Sequence, residues 1–457
     1  MVMTQREART LGKSVRDRLP RKVQGRFVAP DRDAVDLLDR QNATRVPELV
    51  PVRFGRMLES PFAFYRGSAA LMAHDLGRND HSDILVVSCG DAHVSNFGLY
   101  ASPERALLFD LNDFDEGGYA PWEWDLKRLA ASVHIGGRAN GFSETTCGEM
   151  VRSAVASYVD RFASMLELTV LERSYVRVDT AMLQEMAKPR HLKDIARAES
   201  RARRRTSEQV VQRLVTTGER GARRIIEQPP ITTHVIGATS EQLGEAFRQY
   251  HETLPHHTAL LLSQFELQDA VHRVVGVGSV GTRAYLAYLE GPNDEPLILQ
   301  AKEADRSVLA SFGGMPDRLP PGVPLPDGHS QGQRVVAVQR ILQAASDHFL
   351  GWITFAGHHR RVDYYWRQFR DMKGSVDLAT LDSRQFTDYA RLCAWLLARA
   401  HVQSPNAAVV GGYIGRSDAL AEPLAQWAAR YADQAEADYA ALVAAVDQGR
   451  VPADVGV

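Results

Sequence analysis

The sequence predicts an α+β protein in which a helix-rich body is joined to a small antiparallel sheet. Three observations carry this. Helical periodicity dominates 51–270 and 346–457, while residues 271–303 show β-branched and aromatic alternation, scattered glycines and a Gly291-Pro292-Asn293-Asp294 turn. Two short apolar runs, DILVVSCG and RALLFDLNDFDE, each lead into carboxylates. At 457 residues, 44% hydrophobic and 24% charged, the chain can bury sizeable cores and is not a disordered one.

Residues 1–50 read as a basic arm followed by a short helix in AVDLLDRQNATR, stopped by Pro47. In SPFAFYRGSAALMAHDLG, Ser60 is an N-cap candidate, Pro61 sits at the first helical position and Gly77 supplies a stop, so one helix is expected. DILVVSCG reads as a buried strand delivering Asp91 past its end, and RALLFDLNDFDE as a second strand ending in acids. PWEWDLKRLAASVHIGGR opens a helix, with Pro121 near its start and Leu126, Leu129, Ala130 and Val133 forming a buried stripe. Helical patterns continue through the charged segment 190–226 towards residue 270, interrupted at PPITTHVIG. After the sheet, FGGMPDRLPPGVPLPDGHSQ is a loop and GQRVVAVQRILQAAS a helix, and the remainder carries Ala/Leu helical stripes.

Composition excludes several classes. The basic stretches at 1–26 and 197–213 carry few aromatics, which argues for solvated helix faces and against nucleic-acid binding. Cys89, Cys147 and Cys393 form neither a CxxC pair nor a disulfide ladder, which fits a reducing compartment, so a cytoplasmic location is expected. No apolar stretch approaches the roughly 18 residues of a membrane span, so no membrane partner is expected.

The chemistry concentrates in three places. In CGDAHVSNFG, Asp91 can accept the proton of an attacking hydroxyl, and Asn96, on the same loop, can ligate Mg²⁺; His93 lies between them. In FDLNDFDE, four acids fall within seven residues. Asp110 is the first choice of metal ligand because it ends the run LLF, Asp113 is a second, and Asp115 and Glu116 suit a solvated turn. In VVGVGSVGTR, the residues Gly276, Gly278, Ser279 and Gly281 let backbone approach phosphates, and a strand follows in place of the helix a dinucleotide fold requires. Lys302 then comes on the third strand, placed to pair the phosphates of ATP. An acidic partner for Lys302 is missing from GQRVVAVQRILQ, and Glu303 points to the opposite strand face. These are the parts of a protein-kinase-like phosphotransferase in an inverted chain order, which implies circular permutation.

The sequence resembles the bacterial family called domain of unknown function 2252, itself grouped with the protein-kinase-like superfamily. The resemblance rests on QNATRVPELVPVRFGRMLESPFAFYRG, CGDAHVSNFG, FDLNDFDE, WEWDLKRLAAS, VGVGSVGTR, KEA, GQRVVAVQR, the ASDHFLGW run and LARAH. By similarity to aminoglycoside phosphotransferases, it implies Asp91 as base, Asn96 and Asp110 as metal ligands and Asp125 as a support of the catalytic loop. Arg66 and His93 are further supporting candidates, and His401 could brace the loop. The glycine of an Asp-Phe-Gly motif is absent after Asp110, where Leu111-Asn112 follow. The expected division is an arm at 1–50, a catalytic part at 51–270, a nucleotide part at 271–345 and a helical completion of the catalytic part at 346–457. ATP and Mg²⁺ are the expected cofactors, with a small-molecule or protein hydroxyl as acceptor. Nucleotidyl transfer and nucleotide binding without turnover stay open.

Overall fold

Six antiparallel strands in the order β11-β12-β10-β9-β8-β7 form the main sheet of the computed structural model: β7 Thr232–His234, β8 Glu266–Arg273, β9 Ala284–Glu290, β10 Pro296–Glu303, β11 Gly351–Ala356 and β12 Arg361–Gln368. The structure describes residues 3–186, 192–204, 207–217, 223–229, 231–234, 240–274, 280–323, 325–326, 328–356, 361–369 and 371–456. Three two-stranded sheets accompany the main one, pairing β1 Leu85–Ser88 with β4 Gly118–Pro121, β2 Phe97–Ala101 with β3 Leu107–Leu111, and β5 Val215–Thr217 with β6 Arg223–Ile225. The α+β expectation holds. Among the described residues no helix is long and apolar enough to cross a membrane.

The helical part is organised around Trp122–Ala139, whose residues from Trp122 to Gly137 are all buried. A helix buried on every side sits at the centre of its domain and not at the surface. Glu144–Met165, Ser383–His401 and Ala421–Asp447 pack around it, and Trp122, Tyr158, Phe162 and Leu397 share one core with β1, β2 and β3. The helix Gln331–Leu342 spans from this core to β11 and β12.

Four expectations are corrected. The N-terminal arm is in fact a helix, Gln5–Arg18, started by a Thr4–Glu7 capping box. It lies so close to the helix Ala407–Ile414 that a Cβ on Gly12 would sit 1.9 Å from the Val409 carbonyl oxygen. The single helix expected at 61–76 breaks at Ser68 into Pro61–Gly67 and Ala69–Leu76, although Ser60 does cap it, accepting the Ala63 amide at 3.0 Å. Short strands β5, β6 and β7 interrupt the helical stretch before 270. The hairpin β11–β12 lies where only helix was expected, and it places Tyr365 directly across from Lys302.

Candidate active site

The loop after β1 is held in shape before any ligand arrives. Gly90 adopts φ +76, and a Cβ there would come within 2.0 Å of the Glu116 carbonyl oxygen, so both its conformation and its neighbour require glycine. Asp125, from the first turn of the central helix, accepts the amides of Cys89 (2.8 Å) and Gly90 (3.0 Å). His401 Nε2 lies 3.2 Å from the same carboxylate, and its Nδ1 is 2.9 Å from the Tyr158 hydroxyl. Burial acts upwards on Asp125, but His401, Ser88 and the amides outweigh it and hold the carboxyl below its ordinary range. The loop is tied further by Val94 N to Ser132 Oγ at 3.0 Å and by Asn96 Nδ2 to the Asp91 carbonyl at 2.7 Å.

Asp91 is thereby presented with its two oxygens in different settings. Arg128 Nε donates to Oδ1 at 2.7 Å, while Oδ2 lies 3.7 Å from His93 Nε2. Arg128 is itself fixed over the Tyr65 ring, 3.9 Å from its centroid, and donates to the Tyr65 carbonyl at 2.7 Å. Burial raises the Asp91 carboxyl, with Arg128 and then Arg66 pulling against it. Burial, Arg128 and Arg66 together keep His93 neutral, and its Nδ1 accepts the Ser95 amide at 3.2 Å.

The acidic run divides by position. Asp110 lies within β3, opposite Gly98, and is 1% exposed. Its Oδ1 accepts the Leu111 amide and its Oδ2 the Ala344 amide, both at 2.9 Å, with Arg399 Nη1 at 3.5 Å. It does not line the cavity described below. Asp113, Asp115 and Glu116 do, which corrects the picture of a solvated turn. Asp115 Oδ2 receives Lys302 Nζ and its Oδ1 the Tyr365 hydroxyl at 2.6 Å. Burial acts upwards on Asp115, yet Lys302 and Tyr365 overcome it and hold the carboxyl at about 2. Asp113 is raised by burial and by the Asp115 charge. Glu116 is pushed up to about 7 by burial; its carboxylate accepts the Val308 amide and its carbonyl the Ser307 hydroxyl, each at 2.7 Å.

Lys302 thus finds its acid in the loop between β3 and β4 and not in the helix Gln331–Leu342, where Gln339 donates to Gln343 and Arg340 to the Leu350 carbonyl. Burial alone would lower the Lys302 ammonium, but Asp113 and Asp115 more than reverse it. Glu303, on the opposite strand face, pairs with Arg283 at 3.1 Å.

A cavity of about 330 Å³ has Asp91, His93, Asn96, Asp113, Asp115 and Arg66 in its wall and Thr282 at the end of the glycine-bearing loop; Lys302 does not line it and is linked to it through Asp115. That volume suits a small-molecule ligand. Gly281 adopts φ +89 and its carbonyl accepts the Val46 amide at 2.8 Å, which anchors the loop end. Gly276, Gly278 and Ser279 lie outside the described residues. Among the described residues no three or more His, Cys, Asp and Glu side chains gather as a metal cage. Asn96, whose Nδ2 is spent on Asp91, retains Oδ1, and Asp113 adds a carboxylate. Two hard oxygen donors fit Mg²⁺, which takes one or two protein ligands and completes its shell with substrate phosphates and water.

A family model described as "Uncharacterized protein conserved in bacteria (DUF2252)" matches residues 45–445. The chain belongs to the DUF2252 family. No curated protein and no solved structure matches this DUF2252 chain. The match begins at Arg45, before the helix that carries Arg66, and runs through every residue of the cavity wall named above.

Proposed function

We propose that this DUF2252 protein is an ATP- and Mg²⁺-dependent phosphotransferase of protein-kinase-like, circularly permuted architecture that moves the γ-phosphoryl group to a hydroxyl acceptor. One observation carries the reading. Lys302, on β10, the second strand after the β8 that leads into the glycine-bearing turn, pairs with Asp115, two residues from an Asp113 that shares a cavity with Asp91 and Asn96. A lysine strand, a metal carboxylate, a loop Asn and a loop Asp are the parts phosphoryl transfer from ATP uses. The metal ligands in this reading are Asn96 and Asp113, and Asp110 becomes a support of the hairpin.

Asp91 Oδ1 is taken by Arg128, so Oδ2 is the oxygen that accepts the acceptor's proton. The acceptor oxygen forms its bond to the γ-phosphorus, the bond to the β–γ bridging oxygen breaks, and ADP carries away that electron pair. Lys302 contributes fixed positive charge to the phosphates, and Asp125 keeps the loop amides, hence Asp91, in register. Mg²⁺ held by Asn96 and Asp113 would neutralise phosphate charge when bound.

The test is thermal stability with ATP, with and without Mg²⁺, beside ADP release with a panel of small hydroxyl compounds. A ligand at 100 times its Kd stabilises by about 2.7 kcal/mol, so at about 1 mM nucleotide an affinity of about 10 μM is readable. Asp91→Asn should keep the Mg²⁺-dependent shift and lose roughly 10²- to 10⁴-fold in turnover. A wild type indifferent to every Mg²⁺–nucleotide, or an Asp91→Asn protein with full ADP release, would sink the reading.

A further inference from the structure

Arginines around the cavity are mostly spoken for. Arg128 serves Asp91, and Arg334 donates to the carbonyls of Asp115, Gly117 and Asp305. Arg66, near the end of the helix Pro61–Gly67, differs. It lines the cavity with Asp91 and Asn96, its Nε is buried with no partner, and among the described residues no hydrogen bond or ion pair reaches its guanidinium. Burial depresses the guanidinium, offset only by the more distant charges of Asp91, Glu59 and Asp113. Holding such a group without a counter-ion is costly, and a fold that does so leaves the counter-charge to a ligand. Arg40 reaches the same cavity, its guanidinium over the Phe312 ring, 5.9 Å from the centroid.

The position relative to the acids says which ligand. Lys302 is bonded to Asp115, whereas Arg66 directly follows Tyr65, whose carbonyl and ring hold the Arg128 that donates to Asp91. The nucleotide phosphates belong with the lysine, and the base end belongs to the acceptor.

We infer that Arg66, with Arg40 on the same cavity, binds an oxyanion carried by the phosphoryl acceptor, a phosphate or carboxylate near the hydroxyl presented to Asp91. This rests on the phosphotransferase reading and narrows it: the acceptor is an anionic hydroxyl compound. The planar fork of arginine suits bidentate capture of either anion.

The experiment uses full-length protein saturated with Mg²⁺ and a non-hydrolysable ATP analogue, and compares glycerol with glycerol 3-phosphate and with glycerate by thermal shift. Both anions, and not glycerol, should raise the midpoint further. Arg66→Gln should raise the anion concentration needed at least tenfold while keeping the nucleotide shift. Arg66→Lys, which keeps charge but not the fork, should retain part of the anion response and covers the case of a misfolded glutamine variant. Equal responses to glycerol and its anions overturn the inference, as does loss of the nucleotide shift in Arg66→Gln, which would assign the arginine to ATP. An Arg66-dependent anion response in a protein indifferent to the nucleotide analogue would uphold the anion site and refute the phosphotransferase reading.

Discussion

Replacing Asp115 by Asn removes the carboxylate that holds both Lys302 Nζ and the Tyr365 hydroxyl, in a place where Lys302 is 3% exposed. Two routes give the cost. Breaking a buried ion pair from one side typically costs about 3–5 kcal/mol, because the surviving charge stays desolvated. The depression of Asp115 from 3.8 to about 2 corresponds to about 2 kcal/mol of pH-dependent stability. Asp113 remains near the ammonium and softens the loss, so we expect Asp115→Asn to destabilise by about 2–4 kcal/mol at pH 7. Urea unfolding followed by tryptophan fluorescence measures it, alongside Lys302→Met and the double variant. The two single losses should overlap, leaving a coupling energy of about 1.5 kcal/mol or more. The sign in acid follows from the lowered carboxyl: its contribution is complete above the unfolded value near 4 and disappears as pH falls towards 2, where variant and wild type should converge. A loss below about 1 kcal/mol at pH 7, or single losses that simply add, would refute the Lys302–Asp115 pairing as the joint between the main sheet and the loop after β3.

Two further outcomes follow from the same row of acids. Asp110→Asn should cost about 1–3 kcal/mol through its amides and Arg399 yet keep Mg²⁺-dependent nucleotide stabilisation. Asp113→Asn should lose the Mg²⁺ dependence instead; the reverse pattern would restore Asp110 as the ligand. Glu116 is raised to about 7, so the native state is penalised for its charge as pH rises from 4.5, fully so above about 7. Glu116→Gln retains an oxygen for Val308 N and should therefore gain up to about 3 kcal/mol at pH 8 and nothing at pH 4. Equal stability at pH 8 would count against a buried charge there.

The parts of the site that local pattern encodes were legible. β1 delivers Asp91, and Lys302 stands on a central strand, because an apolar run bounded by turn residues specifies a buried strand by itself. What failed depends on distant partners. Asp115 and Glu116 precede Gly117-Gly118 and look like a solvated turn, whereas residues 302, 307, 308, 334 and 365, all far along the chain, bond to them. Asp110 was preferred for ending the run LLF, but β3 continues through Leu111, so Asp113 is the first acid past the strand. The N-terminal helix packs on Ala8 and Gly12, small residues that allow close approach without an apolar stripe; its readable signal was the capping box. The hairpin β11–β12 did carry a signal in GWITFA and RVDYYWRQ, which the Ala/Leu-rich helices downstream outweighed.

The loop at 113–117, between β3 and β4, also sets an order of events in the making of the protein. Asp115 leaves the ribosome with the other acids of its run, but its tyrosine partner lies 250 residues later and its lysine 187 later. At typical synthesis rates, that interval lasts roughly 10–50 s. Through it Asp115 lacks both its ammonium and its phenol partner, and Asp125 waits a further stretch for His401, 276 residues on from itself. Contacts of such separation close late and slowly. The loop after β1 therefore gains its last partner late: the segment that carries Asp91 is synthesised early and braced last.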